Sequence, residues 1–379
     1  MIAVVPDSFK GTLSAVEATE AIRQGFKKGF PGARLRLIPM ADGGEGTVDA
    51  LAKSCRASIQ EITTIDPLGR PITASYALNK KRRLAVVEMA AASGLMLLAP
   101  EELNPLKTST YGAGLLLRHA IENGARKVIL GIGGSATNDG GAGLASALGV
   151  KFLDVNSCEL PPGGEALKRL SRIDVSNIDP QLKDVELLVA CDVDNPLFGP
   201  NGAAAVYSPQ KGATPEMVRS LDKSMKHFAE ICSEQLNSNY ADYPGAGAAG
   251  GLGFGLLTFC GATLCSGVEI IAETIDLRER LKDCDLVITG EGRIDGQSLS
   301  GKTPVGVAKI AKSLQIPVIA ISGALGENYG KLHSVGVSAI FPAAHGDIDP
   351  GNLSSGAFER LSATAEQIAR LLYAGQLRS

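Results

Sequence analysis

Five short segments share one design: charged or polar side chains set among glycines or small turn residues directly after an apolar run. They are Pro6-Asp7-Ser8-Phe9-Lys10-Gly11, Met40-Ala41-Asp42-Gly43-Gly44-Glu45-Gly46, the run GIGGSATNDGG from Gly131 to Gly141, Cys191-Asp192-Val193-Asp194-Asn195-Pro196, and Thr289-Gly290-Glu291-Gly292-Arg293-Ile294-Asp295. Glycines let a backbone turn tightly and approach a ligand, and successive N–H groups where a strand hands over to a helix converge on anionic oxygens. The Gly131 run, with Gly133, Gly134, Ser135, Thr137 and Asn138, is therefore expected to hold phosphates, although Asn and Asp also serve as turn residues and helix caps. If all five segments meet, Asp42, Glu45, Asp192 and Glu291 are candidate metal-holding or base carboxylates, and Lys10, Arg293 and Lys302 candidate cations. Clustered carboxylates repel one another and want a divalent cation. Oxygen ligands beside phosphates point to Mg²⁺. Phosphoryl transfer needs this set: metal and cations on the phosphates, and a carboxylate for the acceptor hydroxyl. Taken singly, Lys10 or Arg293 reads as a surface charge.

Gly296 to Thr303 spells GxxxxGK[ST], the P-loop signature. The match reads as fortuitous, because Glu291 to Asp295 intervenes after the apolar run and the strand expected at Pro317 to Ile321 has no Walker B aspartate. Pro304 suits a helix start, which leaves Lys302 able to face an anion there. His119, His227, His333 and His345 lack metal-ligand spacing and are expected to be structural. No GxSxG elbow supports covalent hydrolysis.

A net charge of −3 and a pI of about 5.9 supply no global field for a polyanion, so nucleic acid is not expected as a partner. Seven scattered cysteines, an odd number without a CxxC pair, read as reduced thiols of a cytoplasmic protein. Ile2 to Pro6 looks like a core strand rather than a signal peptide. The uncharged stretch Tyr243 to Val268 is too glycine-rich for a membrane span and reads as loops plus a buried helix.

Elements must position these segments, and 379 residues are long for one core, so two domains are expected. Apolar runs of strand length alternate with amphipathic runs of helix length, which predicts an α/β fold with a largely parallel sheet. Strand Ile2 to Pro6, a capping box Ser14-Ala15-Val16-Glu17 opening a helix, and a strand near Arg34 to Ile38 form the first unit. Ile59 to Glu88 reads as antiparallel structure around the turns at Asp66 to Gly69 and Asn79 to Arg83. From Leu286 the alternation of the first sixty residues returns. The reading is a discontinuous doubly wound domain of residues 1–60 and 285–379, with residues 61–284 inserted as a second α/β domain. Ligands of such sheets bind beyond the carboxyl ends of the strands.

Read together, PDSFKGTLSA from Pro6, PMADGGEGT from Pro39, DPLGR from Asp66, GIGGSATNDGG from Gly131, CDVDNPL from Cys191, PQKGA from Pro209, PGAGAAGGLG from Pro244 and TGEGRID from Thr289 resemble the bacterial type I glycerate kinases over nearly the whole chain. That resemblance implies ATP-dependent phosphorylation of D-glycerate with Mg²⁺, usually at the 2-hydroxyl to give 2-phosphoglycerate, in a cytoplasmic enzyme with no membrane partner. A homodimer is left open. It implies a flavodoxin-like domain and one resembling a restriction-enzyme core. ATP phosphates are then expected on the Gly133 to Asn138 backbone with Lys302, Mg²⁺ on some of Asp42, Asp192 and Glu291, and glycerate in the interdomain cleft. Arg293 and Lys10, with Arg70 in reserve, are candidates for the substrate carboxylate. Asp7, Ser8, Asp42, Arg70 and Asp139 are candidate substrate contacts. Asp192 is the first choice of base and Asp42 the second. The alternatives are 3-phosphoglycerate formation, a related sugar-acid kinase, and a metabolite-binding sensor that consumes no ATP.

Overall fold

The computed structural model describes residues 1–44, 46–296, 299, 302–343 and 354–376. Its strands are β1 (Ile2–Pro6), β2 (Leu35–Leu37), β3 (Ser58–Ile65), β4 (Pro71–Asn79), β5 (Leu84–Glu88), β6 (Lys127–Gly131), β7 (Lys151–Leu153), β8 (Arg172–Asp174), β9 (Glu186–Ala190), β10 (Thr263–Cys265), β11 (Leu286–Ile294), β12 (Val318–Leu325) and β13 (Val337–Pro342). The fold is α/β. Two compact units divide the chain: residues 1–42, 49–56 and 268–379 form the first, and 43–48 and 57–267 the second. Residues 268–284, expected in the insert, group with the first unit, where Val268 fills the space a side chain on Gly306 would need.

The first unit is built on a wholly parallel sheet in the order β13-β12-β11-β1-β2. Counted within the unit this is 2-1-3-4-5, a doubly wound order whose switch point lies between β1 and β11. Ile2, Val4 and Ile288 pack with Ile22, Phe26, Leu361 and Ile368 of two helices, while the alternate residues Ala3, Val5 and Val287 are buried as well. Both faces are therefore covered, which is why these strands read as continuous apolar runs. The helix Ala15–Gly29 starts at the expected capping box, with Ser14 Oγ accepting from Glu17 N and Ser14 N donating to Glu17 Oε2. It crosses helix Ala357–Gln376 so closely that a Cβ on Gly25 would lie 2.2 Å from Ser362 O.

The second unit carries a six-stranded mixed sheet, β10-β9-β6-β5-β4-β3, with β10, β9, β6 and β5 parallel and β5-β4-β3 antiparallel. The antiparallel hairpin is the one the turn residues predicted. Strands β7 and β8 form a separate antiparallel pair. The uncharged stretch is a buried helix, Ala248–Cys260, kinked where Ala249, Gly250 and Gly251 take positive φ. The kink seats it against the Gly131 run: Gly140 N donates to Gly250 O, and a Cβ on Gly250 would lie 2.0 Å from Thr137 O. Among the described residues no helix is long and apolar enough to cross a membrane. No disulfide joins any of the seven cysteines, all of which lie among the described residues.

Candidate active site

In the first unit, parallel strands deliver three of the five segments to one edge of the sheet. Asp7 follows the last residue of β1, Asp42 lies beyond β2, and Glu291 stands near the end of β11, paired in register with Ser322. Asp7 and Glu291 thus flank the switch point, where open α/β sheets bind ligands. Lys10 Nζ sits 3.0 Å from Asp42 Oδ2, and Lys302 Nζ is 3.8 Å from Glu291 Oε1. Ser8 N donates to Asp7 Oδ1, and the Thr303 hydroxyl donates to Asp7 Oδ2.

Charge follows from this packing. Asp7 is 5% exposed; burial first and the Asp42 charge second push its carboxyl up to about 7, against the opposing pull of Thr303, Ser8 and Lys10. Burial pulls the Lys10 ammonium down, yet the charge and hydrogen bond of Asp42, with the charges of Asp7 and Glu291, outweigh it and leave a net rise. The group is an acidic cluster carrying two lysines, suited to a polyanion with its counter-cation.

Arg293 belongs to the same strand end, exposed, with its Nε 3.1 Å from Asp295 Oδ2. β11 runs on through Ile294, so Glu291 to Ile294 is strand and not the loop expected after Thr289. The pairing of Glu291, Arg293 and Ile294 with β12 carries it past its glycines. This removes one argument against the P-loop spelling, since Gly296 now follows close on a strand end. The other argument stands: β12, Val318–Leu325, contains no aspartate. Lys302 is the N-cap of helix Thr303–Ser313, while positions 297, 298, 300 and 301 of that spelling, with Glu45 and His345, lie outside the described residues.

The second unit gathers its own set at the carboxyl ends of β5, β6 and β9. Gly131 pairs with Ala190 in register, so the Gly131 run and Cys191-Asp192 leave neighbouring strands side by side. Gly43 lies over both, because a Cβ on Gly131 would fall 2.4 Å from Gly43 O and one on Gly43 2.2 Å from the Ala190 Cβ. The Asp42-Gly43-Gly44 run straddles the division between units. Val48 N donates to Glu88 Oε1. Asp192 is exposed, and its Oδ1 accepts from Gly267 N at 3.1 Å.

Within the glycine run the structure separates what the sequence lumps together. Gly133 and Gly134 are exposed, whereas Ser135, Thr137, Asn138 and Asp139 are buried. Asp139 accepts from Thr110 N and Oγ1, Gly141 N and Gly143 N. Its carboxylate thereby occupies the amides that open the next helix, because a buried carboxylate must be saturated with donors. Burial raises the Asp139 carboxyl and those bonds pull it back. Asp139 thus has protein partners, not the substrate contact expected of it. Ser135 Oγ accepts from Lys211 Nζ at 2.6 Å. Arg70, the reserve cation, is committed to Asp66 and Glu102. Three histidines are structural as expected: His119 bonds Tyr76, His227 the Leu170 carbonyl and His333 the Val337 carbonyl. Lys211 was missed as a site residue; its signal was a lone lysine before a glycine in the turn-like segment Ser208-Pro209-Gln210-Lys211-Gly212.

Parallel strands presenting carboxylates, lysines and bare glycine backbone at their carboxyl ends define an α/β enzyme that handles a charged small molecule. The Glycerate kinase family model matches residues 2–373. The Bacillus subtilis glycerate kinase is 50% identical over 368 residues, 97% of this chain and 96% of that protein. The Escherichia coli K12 glycerate 2-kinase is 46% identical over 99% of this chain and 98% of its own. The crystal structure assigned to glycerate kinase 2 of Salmonella typhimurium LT2 superposes with a TM-score of 0.89 at 44% identity, covering 99% of this chain and 98% of that one. The chain belongs to the glycerate kinase family and is a kinase.

Proposed function

We propose that this kinase transfers the γ-phosphoryl group of ATP to the 2-hydroxyl of D-glycerate, giving 2-phosphoglycerate and ADP. Family membership and the printed activity of the Escherichia coli relative support the substrate and the position. The observation that carries the chemistry is the Asp7, Lys10, Asp42, Glu291 and Lys302 group at the switch point.

The roles follow from charge. Gly133 and Gly134 offer backbone N–H groups to phosphate oxygens, a narrower set than the whole run, since Ser135, Thr137 and Asn138 are turned inward. Lys302 and Lys10 offset phosphate charge, and Arg293, exposed at the end of β11, takes the glycerate carboxylate, with Lys10 as the second candidate. Asp192, held by Gly267 N, takes the proton of the 2-hydroxyl as its oxygen attacks the γ-phosphorus and the bond to the β-phosphate oxygen breaks. Asp42 is the second candidate for that base. Asp7 and Ser8 support the substrate pocket from the end of β1.

Among the described residues no three His, Cys, Asp or Glu side chains form a metal-ligating group. Mg²⁺ fits nonetheless, because phosphotransfer sites hold it by one or two carboxylates with phosphate oxygens completing the shell. The Asp42 charge, which helps raise the buried Asp7 carboxyl, adds to the need for a cation there. Some of Asp42, Asp192 and Glu291 would hold it, and it would neutralise phosphate charge. The 2-1-3-4-5 order supports a flavodoxin-like first domain, and the mixed second sheet is compatible with a restriction-enzyme-like core. Seven cysteines with no disulfide among them support a cytoplasmic setting.

Incubation with ATP, Mg²⁺ and D-glycerate, followed by phosphorus NMR, tests the reading. A 2-phosphoglycerate resonance growing with ADP is expected; 3-phosphoglycerate, or no turnover, overturns it.

A further inference from the structure

Lys211 ends the short turn Pro209–Lys211 and is 1% exposed. Its Nζ donates to Ser135 Oγ and to Thr137 O, both at 2.6 Å, so it grips the inner side of the glycine run. Thr137 and its neighbour Asn138 are wholly buried, and Thr137 Oγ1 and both amide atoms of Asn138 have no hydrogen-bond partner among the described residues. The inner side of this loop thus holds buried polar groups together with one buried amine. A buried ammonium is costly, and well-packed apolar replacements are often more stable, so packing alone does not account for it.

We infer that Lys211 is a positioning residue for phosphoryl transfer: it fixes the Gly133-Gly134 backbone from behind and gains a proton when nucleotide phosphate arrives in front. This rests on the proposed placement of ATP phosphates at Gly133 and Gly134. Two N–H bonds of Lys211 are engaged by Ser135 and Thr137, so the third proton can come and go without breaking the grip. Burial lowers the amine to about 7, and the charge acting against that is Asp139, which is itself saturated by Thr110, Gly141 and Gly143. Ser135 and Thr137, which accept its two hydrogen bonds, do not titrate. An incoming triphosphate adds negative charge and favours the ammonium.

The test is titration calorimetry of ATP binding at pH 8 in buffers of different ionisation enthalpy, on the whole chain and its Lys211→Arg, Lys211→Met and Gly134→Ala variants, each first checked for a cooperative melt. At pH 8 the nucleotide's own phosphates are almost fully ionised. Wild type is expected to take up close to one proton per ATP. Lys211→Arg, permanently charged, should lose that uptake yet bind within about threefold of wild type, and Lys211→Met should bind about tenfold or more weakly. The KM for glycerate should stay within about twofold in both, as expected for a group acting on the nucleotide alone. If Gly134→Ala weakens ATP binding but Lys211→Met does not, or uptake persists in Lys211→Arg, the inference about Lys211 fails alone. If Gly134→Ala leaves binding unchanged, the phosphate placement fails first. Should both Lys211 variants not fold, absence of net uptake in wild type is enough to overturn the inference.

Discussion

The Thr303 hydroxyl donates to Asp7 Oδ2, joining residues 296 positions apart at the switch point of the first sheet. The bond holds a carboxyl that burial and Asp42 would rather keep neutral. Asp7 is raised from 3.8 to about 7 on folding, so between those values the folded chain binds more protons than the unfolded one. Stability from this group is then full below about pH 4 and lost as pH rises through 7. Asp7→Asn should therefore be more stable than wild type at pH 8, and the gain should vanish near pH 4. Urea unfolding across that range checks it; parallel curves at every pH would refute the account.

Lys211 has the opposite sign of shift and the opposite consequence. Its amine is lowered from 10.5 to about 7, so above pH 7 the unfolded chain binds the extra proton. Its penalty should shrink as pH rises from 7 towards 10.5. The stability difference between wild type and Lys211→Met should then shift in favour of wild type over that window in chemical denaturation, and a flat difference would contradict the burial argument.

Asp192 is the proposed base, and general-base catalysis contributes roughly 10² to 10⁴ in rate. Asp192→Asn should lower kcat by at least about 10²-fold while the ATP dissociation constant stays within about threefold. Steady-state kinetics beside binding measurements decide this. A kcat within tenfold of wild type would move the role to Asp42.

Lys10 pairs with Asp42 at 3.0 Å, and Asp42, Asp7 and Glu291 together keep it protonated beyond its ordinary range. Lys10→Met should cost about 10²-fold in kcat/KM for glycerate, as expected for loss of a charge on transferring oxygens. No limb of the wild-type pH profile between 7 and 10 should trace to it. A Lys10→Met enzyme that loses such a limb would show that the amine titrates where the cluster says it cannot.

Gly25 lets two helices of the first unit touch backbone to backbone, with Ser362 O 2.2 Å from where a Cβ would be. Gly25→Ala should destabilise by about 1–3 kcal/mol through overpacking despite the better helix propensity of alanine. Thermal melts against Gly375→Ala, where a Cβ meets nothing within 4 Å, provide the control.

Much of the architecture was legible along the chain because its signals are local. The capping box at Ser14 and Glu17, the buried run Ile2 to Val5 and the turn at Asp66 to Gly69 each encode their geometry within a few residues. The run Thr289 to Asp295 misled because its glycines look like loop, while the force that keeps it extended is pairing with β12, a strand about thirty positions away. The glycine run misled in a second way. Its polar residues advertise ligand binding equally whether they face outward or inward, and only packing against Lys211, Thr110 and Gly250 turned most of them in.

Composition and periodicity were enough to determine an α/β fold with polar glycine segments at strand ends, and the resemblance of those segments to the bacterial type I glycerate kinases supplied the family. Which of those polar groups reach a ligand was decided by tertiary structure alone. Burial and the neighbouring charge set whether Asp7 holds its proton, whether Asp139 caps a helix, and whether Lys211 lies behind the loop. Solvation and charge–charge energies depend on distance through space, and distance along the chain does not encode them.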